Sequence, residues 1–272
     1  MPELPEVQTT VQGLKDKVLN RTFVDIWTDT PKIIKKDGVA GFRKKIIDKK
    51  INNVWRRGKN IIFDLSGGLH LLVHQKMTGH LLYDKWEEDK VNSYIRLKFF
   101  LDNGKVLALS DLRKFAKVEL LSEDELEKEL SSLGQEPLDE NFTFDNFKKA
   151  LKRGKIKQVL MRQELIAGIG NIYSDEILWR SGVNPFRDAS KLSEKELKNI
   201  YKAMKSILRK GVRLRGTSIS DYRDIEGKMG NFGNVRKVYR KEGQKCSRCG
   251  DIIKRKKIGG RSAHFCPACQ PL

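Results

Sequence analysis

The sequence predicts an α+β protein of several domains: a β-rich body fronted by one helix, then a helical domain, then a small metal-stapled ribbon. Three observations carry this. Up to about residue 131, short apolar runs alternate with turn-forming residues; beyond 132 the apolar spacing turns helical; and all four Cys fall within the last 27 of 272 residues. A chain of this length holds more than one core.

The first element is a helix. After Met1-Pro2-Glu3-Leu4-Pro5-Glu6, the residues Val7, Val11, Leu14 and Val18 recur at helical spacing, which carries a helix to about Lys17 despite Gly13. Pro and Glu suit a first helical turn, where a missing N–H costs nothing and negative charge meets the dipole. Strand-like runs follow at Thr22–Trp27, Lys50–Arg56, Asn60–Leu65, Leu69–Gln75, Tyr94–Leu101 and Lys105–Ser110, with Asp102-Asn103-Gly104 as a hairpin turn. Many short strands point to an antiparallel sandwich or barrel over residues 1–131. Ser122 and Glu125 fit a capping box for a short helix to Leu130.

Residues 132–137 break the pattern. Phe144–Ala150, Ile156–Leu165 and Ser174–Ser181 then read as helices. The clearest helix runs from Ser193 to about Arg209, with a Ser193/Glu196 capping box and a stripe of Leu197, Ile200, Tyr201, Met204, Ile207 and Leu208. The polar, Gly-rich segment from about 214 to Val235 reads as a long loop, a kind of segment that is often functional.

Charge narrows the partner. Lys and Arg number 55 against 35 Asp and Glu, a formal charge of +20. That excess exceeds what solubility needs and points to a polyanion, first of all nucleic acid. No apolar run is long enough to span a bilayer and no signal-peptide pattern opens the chain, so the expectation is a soluble, cytoplasmic protein without membrane contact.

Cys246-x2-Cys249, sixteen residues, then Cys266-x2-Cys269 is the spacing of a four-thiolate zinc site. Four thiolates leave no open coordination position, so the expected zinc is structural and folds a ribbon too short for its own core. Lys254, Arg255, Lys256, Lys257 and Arg261 between the Cys pairs suit phosphate contacts. Ala167-Gly-Ile-Gly-Asn171 is a helix-to-helix turn that also suits a phosphate at a helix N-terminus, with Lys152, Lys155 and Lys157 just upstream. The four His show no metal-ligand spacing.

Read together, Pro2-Glu-Leu-Pro-Glu6-Val7, Arg57-Gly-Lys59, His74 with Met77-Thr-Gly79, Asp111-Leu-Arg113-Lys-Phe115, Leu133-Gly with Glu136-Pro-Leu138, Ala167-Gly-Ile-Gly-Asn171-Ile-Tyr and the terminal Gly260-Arg261 to Cys269-Gln270 make the chain resemble the bacterial formamidopyrimidine-DNA glycosylases along its whole length. The resemblance implies an N-terminal antiparallel β-sandwich catalytic domain with its helix (1–131), a helix-two-turn-helix DNA-binding domain with a lesion-capping loop (132–238) and a zinc-ribbon hairpin (239–272). It implies excision of 8-oxoguanine and ring-opened purines from damaged double-stranded DNA, followed by strand cleavage, by a nucleoid-associated monomer.

Residue by residue, the resemblance implies that Pro2, freed of Met1, attacks C1′ of the damaged nucleotide. A secondary amine gives an iminium that stays cationic without a proton and drives β- and then δ-elimination. Glu3 then acts as general acid and base, Glu6 positions the reaction, Lys59 supports base displacement and Arg261 contacts phosphate. Met77 and Phe115 enter the duplex as wedges and Arg113 reads the orphaned cytosine. His74, Asn92, Asn171 and Lys152 or Lys157 contact DNA, and the loop of Thr217, Ser218 and Tyr222 covers the flipped base. Asn92 in place of the usual His, His74-Gln-Lys-Met, Ala116 and Arg240 depart from the family pattern. The alternatives are an endonuclease VIII-like enzyme preferring oxidised pyrimidines and a non-catalytic zinc-ribbon DNA-binding protein.

Overall fold

The computed structural model describes all residues except 152 and 220. The chain forms two compact units: Met1–Ser131 with Leu214–Gly233, and Ser132–Arg213 with Asn234–Leu272. The segment Leu214–Gly233 therefore packs with the β-rich unit, although in sequence it lies within the 132–238 stretch read as the helical domain.

Helix α1 (Leu4–Val18) buries Leu4, Val7, Val11, Leu14 and Val18, the apolar face its spacing predicts. Gly13 stands within that helix for a packing reason. A Cβ there would lie 3.0 Å from Ile225 Cδ1, so the missing side chain lets the 214–233 segment seat Ile225 in the core.

Two four-stranded antiparallel sheets follow. One has the order β1 (Phe23–Thr28), β6 (Ile95–Leu101), β7 (Val106–Ser110), β5 (His80–Tyr83); the other runs β2 (Ile51–Arg57), β3 (Asn60–Leu65), β4 (Leu69–His74), β8 (Lys117–Ser122). Phe23, Phe99, Leu107 and Leu81 of the first sheet share one core with Val54, Phe63, Leu71 and Val118 of the second, and with Phe42 and Ile46 of α2 (Gly38–Ile46). The antiparallel sandwich expected from sequence is thus the observed architecture. On the outer face of the second sheet, Ile62, Leu72 and Leu121 are covered by Leu126 of α3 (Glu123–Ser131). Ile61, Ile62 and Phe63 of β3 are buried on successive positions, so both faces of the strand are covered there.

The sequence reading did not find α2, β5 or β8. α2 contributes only two buried side chains and carries two Gly, so it lacks a full apolar stripe. β5 and β8 are short and flanked by polar turns.

In the second unit, α4 (Phe144–Ala150), α5 (Ile156–Met161), α6 (Asn171–Ser181) and α7 (Glu194–Arg213) precede a hairpin of β9 (Lys254–Ile258) and β10 (Arg261–Phe265). The α7 capping box is formed: Ser193 N–H donates to Glu196 Oε2 at 2.8 Å, and Glu196 N–H to Ser193 Oγ at 3.3 Å. Its stripe is buried except Tyr201, which ends in a cluster of Phe142, Phe144 and Phe147 with its hydroxyl donating to Phe142 O at 2.6 Å. Among the described residues, no helix is long and apolar enough to cross a membrane.

Candidate active site and nucleic-acid interface

In the first unit, the N-terminus of α1 is built around two buried carboxylates. Glu3 is the N-cap residue and is 2 % exposed; Glu6, one turn on, is 1 % exposed. Isolated buried carboxylates are unfavourable unless hydrogen-bonded. Glu6 Oε2 accepts the Glu3 N–H at 2.8 Å, and Glu6 Oε1 accepts the Thr217 N–H at 2.7 Å. Glu6 is thus a bracket between the first residues and the 214–233 segment. Pro2 is buried beside it. Burial lowers the Met1 amine below its ordinary value, while the charges of Glu3 and Glu6 pull it up.

The 214–233 segment is fitted to this bracket. Gly216 has φ +77°, and a Cβ there would lie 2.8 Å from Glu6 Cγ and Oε1, so only glycine fits. Tyr222 is buried, its hydroxyl donating to Glu6 O at 3.1 Å; burial and the Glu6 charge push its phenol up. Ser218 Oγ donates to Tyr222 O at 2.5 Å and accepts the Gly230 N–H at 2.8 Å. The side chains of Ser218 and Tyr222 are therefore turned into the unit and fasten the loop. Thr217 joins through its backbone.

Lys59 lies in the two-residue Gly58-Lys59 turn between β2 and β3 and is 6 % exposed. Its charge bears on both the Met1 amine and His74. Arg56 fixes that turn, with Nη1 donating to Gly58 O and Nε to Gln8 Oε1 of α1, each at 2.9 Å. His74 ends β4 half-buried, and its Nδ1 accepts the Lys76 N–H at 2.9 Å. Burial and the cations Lys76, Lys59 and Lys117 push its pKa down to about 3. The ring is neutral at physiological pH, with Nε2 as its donor.

Met77, Arg113 and Phe115 are all exposed, as is Leu112, and the Arg113 guanidinium lies 4.6 Å from the centroid of the Phe115 ring. Apolar side chains held in water on two turns suit insertion between bases. Asn92 does not join them. It is 1 % exposed, its Oδ1 bonded to His80 Nε2 at 2.9 Å and its Nδ2 donating to Glu87 O and Gly227 O, so the expected DNA contact is corrected to a buried strut.

In the second unit, the Ala167–Gly170 turn leads directly into α6. Gln163 holds it from inside: its Oε1 accepts the Gly168 N–H at 2.9 Å and its Nε2 donates to Ile169 O at 2.8 Å. Asn171, the first residue of α6, lines a recess of about 540 Å³ with Tyr239, Arg240, Glu242, Arg255, Ser262 and His264, and its Oδ1 is buried with no hydrogen-bond partner among the described residues. The helix N-terminus and the Arg240 guanidinium favour an anion here, while Arg255 is paired with Glu242 at 3.5 Å. Lys157 does not reach it as a surface cation. It is fully buried, with Nζ on Asp175 and Asn171 O, which corrects the expected phosphate contact. Lys152 lies outside the described residues.

The sequence reading passed over two carboxylates here. Asp175 on α6 accepts both the His264 N–H at 3.0 Å and His264 Nδ1 at 2.9 Å, tying β10 to α6. Glu176 accepts the N–H groups of Lys237, Val238 and Tyr239 at 2.8 to 2.9 Å. Arg261 is exposed at the start of β10, after the Gly259-Gly260 turn whose φ values are both positive.

The four cysteine Sγ atoms lie within 4.8 Å of one another, Cys246 and Cys269 at 3.9 Å and Cys249 and Cys266 at 3.4 Å. A tetrahedron with Zn–S bonds of about 2.3 Å has S···S edges of about 3.8 Å, so the set fits zinc. Trp179 Nε1–H and the Arg248 N–H point at Cys246 Sγ, at 3.4 and 3.5 Å, as donors to a thiolate.

Three family models match along the chain: the formamidopyrimidine-DNA glycosylase N-terminal domain over residues 1–118, the formamidopyrimidine-DNA glycosylase H2TH domain over 133–223, and the zinc finger found in FPG and IleRS over 243–272. Together they define a zinc-finger DNA glycosylase of the H2TH class. The formamidopyrimidine-DNA glycosylase of Pelotomaculum thermopropionicum is 41 % identical over 274 residues, 99 % of each chain, and that of Carboxydothermus hydrogenoformans is 40 % identical over 99 % of this chain and 100 % of that one. Among solved structures, the complex between the Lactococcus lactis Fpg and an abasic site containing DNA matches with a TM-score of 0.90 at 33 % identity, over 99 % of this chain and 100 % of that one. The chain belongs to the formamidopyrimidine-DNA glycosylase family. Its four cysteines hold one structural zinc ion.

Proposed function

We propose that this protein is a bifunctional DNA glycosylase and lyase that removes oxidised purines from duplex DNA as a monomer in the cytoplasm. The observation that carries the reading is the buried carboxylate pair, Glu3 and Glu6, around the N-terminal amine at the start of α1. Family membership supports it, as do structural neighbours solved with Fapy-dG containing DNA, with abasic-site DNA and with carbocyclic 8-oxo-G containing DNA. Relatives named for formamidopyrimidine excision favour neither the pyrimidine-preferring enzyme nor the non-catalytic zinc ribbon.

With Met1 removed, the Pro2 nitrogen is a free secondary amine. An N-terminal amine near pKa 8 is about a tenth neutral at pH 7, and burial moves it further toward the nucleophilic form. Its lone pair forms a bond to C1′ as the glycosidic bond breaks; the departing base takes up a proton, and the Pro2 nitrogen gives up its own N–H proton. Glu3 delivers a proton to the sugar ring oxygen, the ring opens, and the iminium forms. Loss of a C2′ proton expels the 3′ phosphate, and a second elimination expels the 5′ phosphate; hydrolysis of the iminium frees Pro2. Lys59 assists base departure, and Arg261, Asn171 and the Nε2–H of His74 bind phosphate. Met77 and Phe115 fill the stack and Arg113 pairs with the orphaned cytosine. The zinc ion holds the hairpin that carries Arg261. Residues 1–131 serve as the catalytic domain, 132–238 as the DNA-binding domain and 239–272 as the zinc hairpin.

Borohydride reduction during incubation with 8-oxoguanine duplex tests this. The expected result is a covalent protein–DNA adduct that peptide mapping places on Pro2; no adduct, or an adduct on a lysine, overturns it.

A further inference from the structure

Asp111 follows β7 and is completely buried. Its carboxylate accepts hydrogen bonds from two separate turns. Oδ1 takes the Thr78 hydroxyl and the Arg113 N–H at 3.2 Å; Oδ2 takes the Phe115 N–H at 2.7 Å and the Ala116 N–H at 2.8 Å. Thr78 Oγ1 in turn accepts the Arg113 N–H at 3.1 Å. The Asp111 backbone is fixed as well, its N–H donating to Tyr94 O at 2.8 Å and its carbonyl accepting Arg96 Nε at 3.1 Å.

This network has one geometric effect. Thr78 is the neighbour of Met77, and Arg113 and Phe115 lie on the other turn. The three exposed side chains reach the surface from segments more than thirty residues apart, yet a single carboxylate sets their mutual placement. Lys114 between them takes φ +57°, a conformation unfavourable for a side-chain-bearing residue, which the bonds on either side of it hold in place. Met77 and Phe115 stay exposed, at 38 % and 50 %, so their direction depends on the backbone beneath.

We propose that Asp111 is the positioning residue of the duplex-entering trio: it touches no DNA, and it sets how well Met77, Arg113 and Phe115 replace the flipped nucleotide and read the opposite base. The proposal rests on the glycosylase reading above. An amide at this position turns one oxygen into a donor facing donors, because every partner of the carboxylate is an N–H or O–H.

The test compares Asp111→Asn, Thr78→Val and Thr78→Ser with the unaltered protein in single-turnover assays. The substrates are 8-oxoguanine duplex with cytosine or adenine opposite, and a single strand holding an abasic site, which needs no wedge. For Asp111→Asn and Thr78→Val, duplex excision is expected to fall at least tenfold more than single-strand cleavage, and the cytosine-over-adenine preference at least threefold. Thr78→Ser, which keeps the hydroxyl, restores both ratios. Equal losses on all substrates, or unchanged ratios, overturn the proposal. If Asp111→Asn does not fold by circular dichroism, the Thr78 pair decides by the same ratios. Absence of a borohydride adduct with the unaltered protein is a different result: it sinks the glycosylase reading and this inference with it.

Discussion

Glu6 and Thr217 stand 211 residues apart in sequence, yet the Thr217 N–H donates to Glu6 Oε1 at 2.7 Å. The other oxygen of the same carboxylate takes the Glu3 N–H. Glu6→Gln offers an acceptor to one of these donors and a second donor to the other. An unsatisfied buried donor costs about 1–3 kcal/mol. The expected outcome is faster hydrogen exchange at the Thr217 amide and at least a tenfold loss of turnover. Unchanged exchange at Thr217 would show that the bracket does not hold the segment.

Retention of Met1 makes a second prediction. An acylated Pro2 nitrogen is an amide whose lone pair is delocalised into the carbonyl, so it cannot attack C1′. Protein with Met1 in place should bind damaged duplex and leave it uncut. Mass spectrometry of the N-terminus beside a cleavage assay checks this, and full activity in a Met1-bearing preparation contradicts Pro2 as nucleophile.

Arg261 is exposed, and its proposed partner is a phosphate. Loss of one phosphate contact lowers the slope of log affinity against log salt by about 0.9. Arg261→Gln should show that change in a salt titration of binding to uncleavable abasic-site duplex. An identical slope removes Arg261 from the phosphate contacts.

His74 makes stability depend on pH. Its folded pKa of about 3 lies below the ordinary 6.5, so between these values the unfolded chain binds the extra proton. Stability from this group is complete above pH 6.5 and is lost as pH falls toward 3. His74→Asn keeps an acceptor for the Lys76 N–H and removes the titration. Urea midpoints at pH 7, 5 and 4 should therefore fall less steeply in the variant.

Gln75 is 1 % exposed, and neither of its amide atoms has a hydrogen-bond partner among the described residues. Replacing an unpartnered buried amide by an apolar group of similar shape removes a penalty of about 1–3 kcal/mol. Gln75→Met should raise Tm by several degrees, read by calorimetry; a lower Tm would mean that the amide is satisfied in solution.

How much of this was legible in the sequence depends on the range of each interaction. The α7 capping box, the face of α1 and the cysteine spacing are local patterns, and all three stand in the structure as read. Motif resemblance singled out Pro2, Lys59, Met77 and Arg113 as candidates, because short exact runs carry them. What escaped was the inward or outward sense of polar residues. Lys157 reads as a surface cation until Asp175, eighteen residues on, proves to lie against it. Asn92 reads as a contact until His80 and Gly227 close around it. Asp111 carried a local sign that went unused: an Asp before a turn whose next N–H groups need an acceptor.

The tie between Asp175 and His264 sets the spacing of Asn171 and Arg261 within the second unit. Asn171 begins the helix that bears Asp175, and Arg261 begins the strand that bears His264. Because the joint between them is buried and bonded through both backbone and ring, these grips cannot slide apart to suit whatever backbone they meet. If Asn171 and Arg261 hold phosphates as proposed, the unit is a gauge of fixed span, and a duplex that does not present phosphates at that interval is the partner that bends.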